Sequence, residues 1–256
     1  MNMAQEVFKR TEKKYLLTKE QFERLSARLD EYMKKDRYFE SDIMSVYYDT
    51  PDYRLIRASL DKPVFKEKVR LRTYGVPTGD STAFLEYKRK YKGIVYKRRT
   101  FMELNEVLRF IDGEKVRENN PQIENELRYA FRVYEGLAPR MLISYHRLAY
   151  SGIEDPNLRI TFDDRIIYRG YDLDLRNGIY GRELLKDGQR LMEIKIPNAM
   201  PLWLSHILDD LKIFPSSFSK YGKAYTTLMI ENRLNGRDGL SAEKTTSNPK
   251  RYKTAI

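Results

Sequence analysis

The stretch from Lys66 to Arg99 limits most severely what this chain can become. It reads KEKVRLRTYG, then a polar turn, then AFLEYKRKYKG and IVYKRRT. Lys66, Lys68, Arg70 and Arg72 fall at every second position, with Val69 and Leu71 between them. Period two is the mark of a β-strand whose two faces differ. The second run sets Glu86, Lys88 and Lys90 against Leu85 and Tyr87, and the third sets Lys97 and Arg99 against Tyr96 and Arg98. Gly75, Pro77, Gly79 and Asp80 mark the first turn, and Lys92-Gly93 the second. The pattern predicts three antiparallel strands that share a cationic face.

Such a face is costly unless it meets something. Residues two apart on one face lie about 7 Å from each other. At an effective dielectric of about 20, each like-charged pair repels by about 2.4 kcal/mol. Three pairs in the first strand total about 7 kcal/mol, against a net domain stability of about 5–15 kcal/mol. Open to water, the repulsion falls about fourfold and salt screens it further. Two readings follow: a solvated outer face, or a concave cationic site for a polyanion.

Composition narrows the class. The chain has 256 residues, 41% hydrophobic and 33% charged, which suits one large β-rich domain or two small ones. Lys and Arg number 48 against 37 Asp and Glu, a formal net charge of +11. Nucleic acid, anionic membrane and phosphate-rich ligands are the natural partners of such a surface. The 20 tyrosines favour strands and polar-tipped cores. With no cysteine, disulfides, thiol catalysis and Cys-ligated zinc are excluded. The N-terminal stretch MNMAQEVFKRTEKKY has no apolar segment of signal-peptide length. The longest uncharged run, Ile196 to Leu208, is too short to span a bilayer and holds two prolines. A soluble, cytoplasmic protein without a transmembrane segment is expected.

Along the chain, alternation from Phe8 to Tyr15 suggests a first strand, and Thr18 with Gln21 a capping box. Phe22, Leu25, Leu29, Tyr32 and Met33 then predict a helix over 19–34. A strand over 43–49 ends in Asp49-Thr50-Pro51-Asp52, where the side chains of Asp49 and Thr50 bond the turn's backbone. Helices are predicted near 103–112 and from the Asn120 cap with Pro121 at its first position, ending at Gly136. Strands resume in RMLISYHRLAY, LRITFDDRIIY and RLMEIKIP. A helix follows Pro201, and another covers about 219–233. Residues 1–235 read as one domain and 236–256 as a polar, disordered tail.

At least five strands carry ionisable residues on one face and apolar residues on the other. A sandwich would turn the charges outward. A closed antiparallel β-barrel with a charged lumen, an apolar exterior and helices packed outside is the alternative, in the α+β class. Mixed signs on one face suit a lumen shared by a polyanion and a metal, as with Glu86 and Lys88, Glu193 and Lys195, or Arg159 and Asp163.

In that order VYYDTPD, VRLR, LEYKRK, SYHR, LRITFDD, MEIKIP and FSKYGKAY occur across about residues 5–233. The ordered set resembles the vacuolar-transporter-chaperone (VTC) domain, a polyphosphate polymerase branch of the CYTH or triphosphate-tunnel superfamily. The resemblance implies an antiparallel tunnel that binds triphosphate and phosphate chains with a divalent metal, Mn2+ or Mg2+. It also implies transfer of the ATP γ-phosphate to a growing polyphosphate chain. By the same resemblance Arg70 and Arg72 match the tunnel arginines, Lys88 the lysine of the next strand, and Lys97 or Arg98 the following basic position. Tyr145 and Arg147 match a Tyr-x-Arg pair, Arg159 the next arginine, Glu193 the metal-binding glutamate, Ser219 and Lys220 a closing Ser-Lys pair, and Lys14 the lysine of the first strand. Two departures stand out. Tunnel phosphatases open with Glu-x-Glu-x-Lys, whereas this chain has Arg10-x-Glu12-x-Lys14, which leans toward the polymerase branch. Ser217 stands where eukaryotic polymerases often place a lysine.

Phosphoryl transfer needs positioning and charge neutralisation more than a covalent nucleophile. Arginine forks grip phosphate oxygens and lysine supplies point charge. The expected phosphate ligands are therefore Arg70, Arg72, Arg147 and Arg159, with Lys14, Lys88, Lys195 and Lys220 beside them. Glu193 is the first candidate for a hard divalent ion, with Glu12 and Glu86 behind it. Ser219 reads as a helix cap or as a phosphate ligand at a helix start. His146, His206 and Trp203 read as packed side chains. No P-loop motif is present. The leading expectation is polyphosphate synthesis from ATP. The alternatives are tripolyphosphate hydrolysis and a non-catalytic polyphosphate-binding module. Nucleic acid is not expected as a partner, because the tyrosines do not gather on the cationic face and a duplex would not enter a small barrel.

Overall fold

The computed structural model describes residues 11–61, 64–92, 94–116, 119–197 and 199–234. The tail expected over 236–256, and Phe8 and Arg10 of the first motif, lie outside the described residues.

The alternating runs form strands. In order they are β1 (Thr11–Leu17), β2 (Met33–Asp49), β3 (Phe65–Tyr74), β4 (Thr82–Tyr91), β5 (Ile94–Glu103), β6 (Ala138–Gly152), β7 (Arg159–Arg169), β8 (Arg182–Glu183) and β9 (Arg190–Ile196). They build one antiparallel sheet in the order β1-β9-β7-β6-β2-β3-β4-β5, with β8 added to β7. The helices are α1 (Lys19–Leu29), α2 (Arg54–Leu60), α3 (Leu104–Ile111), α4 (Pro121–Val133), α5 (Leu202–Asp210) and α6 (Lys220–Leu234). The Thr18–Gln21 capping box is present in both directions, and Asn120 accepts the Ile123 amide with Pro121 first in α4.

Register fixes which side chains share a face. Lys68 lies opposite Lys88, which lies opposite Lys97. Arg70 stands between Tyr47 and Glu86, and Arg72 between Ser45 and Phe84. Across the sheet Arg147 pairs with Asp163, Thr161 with Glu193, and Glu193 with Lys14. The opposite face is apolar and carries two cores. Met192, Ile194, Ile160 and Phe162 pack with Leu25 of α1 and Leu204 of α5. Val69, Leu71, Leu85 and Met102 pack with Val107 of α3 and Leu127 of α4.

Two expectations about the barrel change. The sheet is not closed by hydrogen bonds: β1 and β5 are its two ends and do not pair among the described residues. The segment before α6 instead links β1 to β3 across the open side. Tyr15 forms a bridge with Pro215, the Ser216 amide donates to the Lys14 carbonyl at 2.7 Å, and Lys68 Nζ on β3 donates to Ser219 Oγ at 3.0 Å. The second change is that not every helix packs outside. Tyr221 and Ala224 of α6, with Ile56 of α2, form a third core with Ile43, Tyr47, Met141, Ile143, Tyr145 and Leu191. These sheet residues alternate on the charged face, so part of the concave side is filled by apolar packing.

α2 was not expected. It forms because Asp49, fully buried, accepts from the amides of Leu55 (2.8 Å) and Ile56 (3.0 Å), as well as Thr50 (2.9 Å). Tyr221 Oη donates to the same carboxylate at 2.9 Å, which ties α6 to the turn.

Candidate functional site

The concave face has two tiers. The outer tier is a cavity of about 890 Å³ lined by Glu12 and Lys14 of β1, Lys66 and Lys68 of β3, Lys88 and Lys90 of β4, and residues 215–219. It is rich in lysine because three strands deliver every second residue to it. Burial pushes the Lys68 ammonium down to about 8, and the positive neighbours Lys14, Lys88 and Lys66 push the same way. A cavity that already disfavours one of its own charges gains when an anion enters it.

The inner tier is built of arginines and carboxylates. Arg70 donates through Nε to Glu86 at 2.6 Å and through Nη1 to Tyr47 Oη at 3.3 Å. Arg72, 7% exposed, donates to Ser45 Oγ and Tyr145 Oη, each at 3.3 Å. Tyr145 links the two halves of the site, since its ring lies 5.2 Å from the Arg147 guanidinium and 4.4 Å from Lys220 Nζ. Arg147 grips Asp163 with two bonds of 2.6 and 2.7 Å, and Lys220 donates to the same carboxylate. Glu193 lies 3.2 Å from Lys14, 3.6 Å from Lys220 and 3.8 Å from Arg147. Burial raises the pKa of both carboxyls, but Lys220 and the cations around them outweigh it and hold both below the usual range. Both acids are ionised at neutral pH, and three cations crowd around the two.

Most of the residues expected from sequence meet here. Arg70, Arg72, Tyr145, Arg147, Glu193, Lys220 and Lys14 converge, with Lys88 and Ser219 at the cavity wall. Ser219 also caps α6, accepting the Gly222 amide at 3.2 Å. Lys195 shares their face beside Glu12 and Arg159. Lys97 faces inward, 2.8 Å from Glu86. Arg98 does not: it falls on the odd side of the alternation and binds Glu126 of α4 at 3.0 Å. Arg159 is on the right face but at its margin, half exposed and paired with Asp36, so it touches none of the cluster. Sequence reasoning placed Lys68 and Asp163 on charged faces without selecting them as site residues, and did not select Tyr47. All three sit in the alternation that revealed their neighbours, and only the fold shows them between the selected residues.

Of the two histidines, His146 lies on the opposite face as expected, its side chain 11% exposed, and meets Asp164 (2.9 Å) and Glu40 (2.8 Å); His206 is exposed rather than packed. Trp203 is half-buried and stacks on Tyr32 at 4.2 Å. None of the three touches the cluster.

No group of three His, Asp or Glu side chains gathers among the described residues. Glu86 lies within ion-pair distance of Arg70, Lys97 and Arg99. Glu12 is exposed and 3.5 Å from Lys14. Glu193 remains, and across the strand pair from it lies Thr161, whose buried Oγ1 has no partner. This donor set does not cage an ion unaided. It suits a hard cation that brings phosphate oxygens and water as its other ligands, which is how Mg2+ is commonly held.

Among solved structures, a candidate adenylate cyclase from Bacillus halodurans shares the fold. It has a TM-score of 0.50 and 14% identity, over 81% of this chain and 92% of that one. A candidate adenylyl cyclase from Hippeastrum, described as having a dominant triphosphatase activity, aligns with a TM-score of 0.49 and 17% identity over 82% and 92%. Comparison with curated proteins finds no match. The sequence profile of the VTC domain matches residues 9–229, nearly all of the described chain and every residue of the cluster. With that span matched, the chain belongs to the VTC domain family.

Proposed function

We propose that this chain is a polyphosphate polymerase-type phosphotransferase that moves the γ-phosphoryl group of ATP onto the end of a polyphosphate chain. The observation that carries the reading is the two-tiered cationic face. The lysine-lined cavity holds a flexible polyanion by point charge, and the inner arginines have the fork geometry to orient one phosphoryl group. The β–γ P–O bond breaks with ADP leaving, and a terminal phosphate oxygen of the acceptor forms the new P–O bond. That oxygen is already anionic, so the transfer needs no general base, which fits a cluster with no histidine in it. Glu193 would hold a divalent ion, which would supply charge neutralisation for the phosphates. Arg72 and Arg147, joined through Tyr145, are placed to grip the transferred group from two sides. Asp163 keeps Arg147 and Lys220 oriented while the site is empty.

Incubation with ATP and Mn2+, followed by gel separation of products and measurement of free phosphate, tests this. Chains that lengthen with time and ADP in matching amount are expected. Orthophosphate released from tripolyphosphate without chain growth would replace the reading with hydrolysis. Tight polyphosphate binding without turnover would replace it with a binding module.

A further inference from the structure

At the β4–β5 turn the sheet ends in an exposed apolar tip. Phe65 pairs in register with Tyr91, and Tyr91 with Ile94. Val64 joins them, its carbonyl accepting the Lys92 amide at 3.1 Å. Val64 is 62% exposed, and Phe65, Tyr91 and Ile94 are each more than two-fifths exposed. Four large apolar side chains standing together in water mark an interaction site rather than ordinary surface. The tip is also basic. Lys92 Nζ lies 5.4 Å from the Tyr91 ring, and Lys90, next to Tyr91 on β4, turns to the other face of the sheet, where it lines the cavity. The nearby carboxylate of Glu126 is already taken by Arg89 and Arg98.

We propose that this tip docks on an anionic lipid surface. Val64, Phe65, Tyr91 and Ile94 enter the boundary between headgroups and acyl chains, Lys92 stays at headgroup level with its stem along the apolar residues, and Lys90 meets the headgroups from the other side of the hairpin. Charge complementarity selects this occupant. A second copy of the chain would bring the same lysines face to face, and like charges in a shared interface oppose it. An anionic bilayer satisfies both features at once. Because Lys66, Lys90 and Val95 also line the cavity, docking would hold the mouth of the site toward the membrane.

The test is cosedimentation of the full chain with vesicles of phosphatidylcholine alone and of phosphatidylcholine with phosphatidylserine. Binding is expected to the second only. Lys92→Gln should weaken it about fivefold, the worth of one cation near such a surface. The triple variant Phe65→Ser, Tyr91→Ser, Ile94→Ser should lose the binding that survives raised salt. Its circular dichroism and tripolyphosphate affinity should match the parent. In Ile94→Trp the new indole should be quenched by bromine-labelled acyl chains, while Trp203 on α5 should not. Three results would overturn the proposal. One is no binding to either vesicle. Another is undiminished binding by a folded triple variant, which would assign it to the net charge of +11. The last is a lipid-free dimer that the triple variant abolishes, which would assign the tip to a second copy.

Discussion

Asp163→Asn should lower stability and raise phosphate affinity at once. The carboxylate is fully buried, takes two bonds from Arg147 and one from Lys220, and has no other task. Its neutral isostere leaves both cations with Glu193 alone, at 3.8 and 3.6 Å. Removing one partner of a buried pair costs about 3–5 kcal/mol, a large part of a net stability of about 5–15 kcal/mol. For a chain of this size that is a fall in Tm of roughly 6–20 °C. The effect on binding has the opposite sign. A phosphate gripped by Arg147 from the open side would lie about 7 Å from the carboxylate. Removing one negative charge there is worth about 2.4 kcal/mol at an effective dielectric of about 20, or roughly 60-fold tighter binding. Ligand at about 100 times its Kd returns about 2.7 kcal/mol, so tripolyphosphate should recover much of the lost stability. Thermal melts with and without tripolyphosphate, beside titration calorimetry, read both signs. A variant that loses stability and affinity together, or whose affinity is unchanged, refutes the idea that Asp163 competes with phosphate for these cations.

Other expectations rest on the same geometry. Arg72→Ala removes a buried guanidinium whose partners are hydroxyls, not a carboxylate. Charged hydrogen bonds are worth about 1.5–3 kcal/mol, so calorimetry should show tripolyphosphate affinity down by roughly 10- to 150-fold. Glu193→Gln should abolish Mn2+-dependent turnover while polyphosphate binding persists; unchanged turnover on the product gel would remove Glu193 from the metal's shell. Affinity should also fall as pH rises. Burial opposes ionisation of Tyr47, yet Arg70, Lys68 and Arg72 bring its hydroxyl down to about 8, while Lys68 is itself lowered to about 8. Below that pH the pair contributes one positive charge, and above it one negative. Tyr47→Phe should therefore flatten the decline, and an identical pH profile in that variant would count against Tyr47 as a titrating group of the site.

Much of the site was legible because alternation is a local property. Once Lys68, Arg70 and Arg72 fall on one face of a strand, the fold can place them only together. The two-faced character of the longer strands was read correctly, and so were the Thr18 and Asn120 caps. What escaped were features decided by distant residues. Residues 33–42 carry charges on both sides of the alternation, so β2 was expected to begin ten positions later than it does and α1 to run on to Lys34. The helix α2 lacks a cap in its own sequence, and borrows Asp49 from five residues before its start. Lys97 and Arg98 could not be separated until the register of β4 and β5 was fixed. Closure failed for a similar reason. Charged faces predict a lumen, but nothing in β1 or β5 specifies whether their edges pair.

The bond from Lys14 Nζ to the Phe218 carbonyl spans 204 positions of sequence. Lys14 is also fastened to Glu193, so the two extremities of the folded unit are stitched to each other at the place where chemistry is expected. Such long-range pairing is formed late, after most of the chain entropy has been surrendered. A half-synthesised chain would carry the lysines of β3 and β4 without Asp163, Glu193 or the segment that links β1 to β3. It could attract phosphate but could not orient it. The cluster is therefore complete only once the last helix has supplied Lys220.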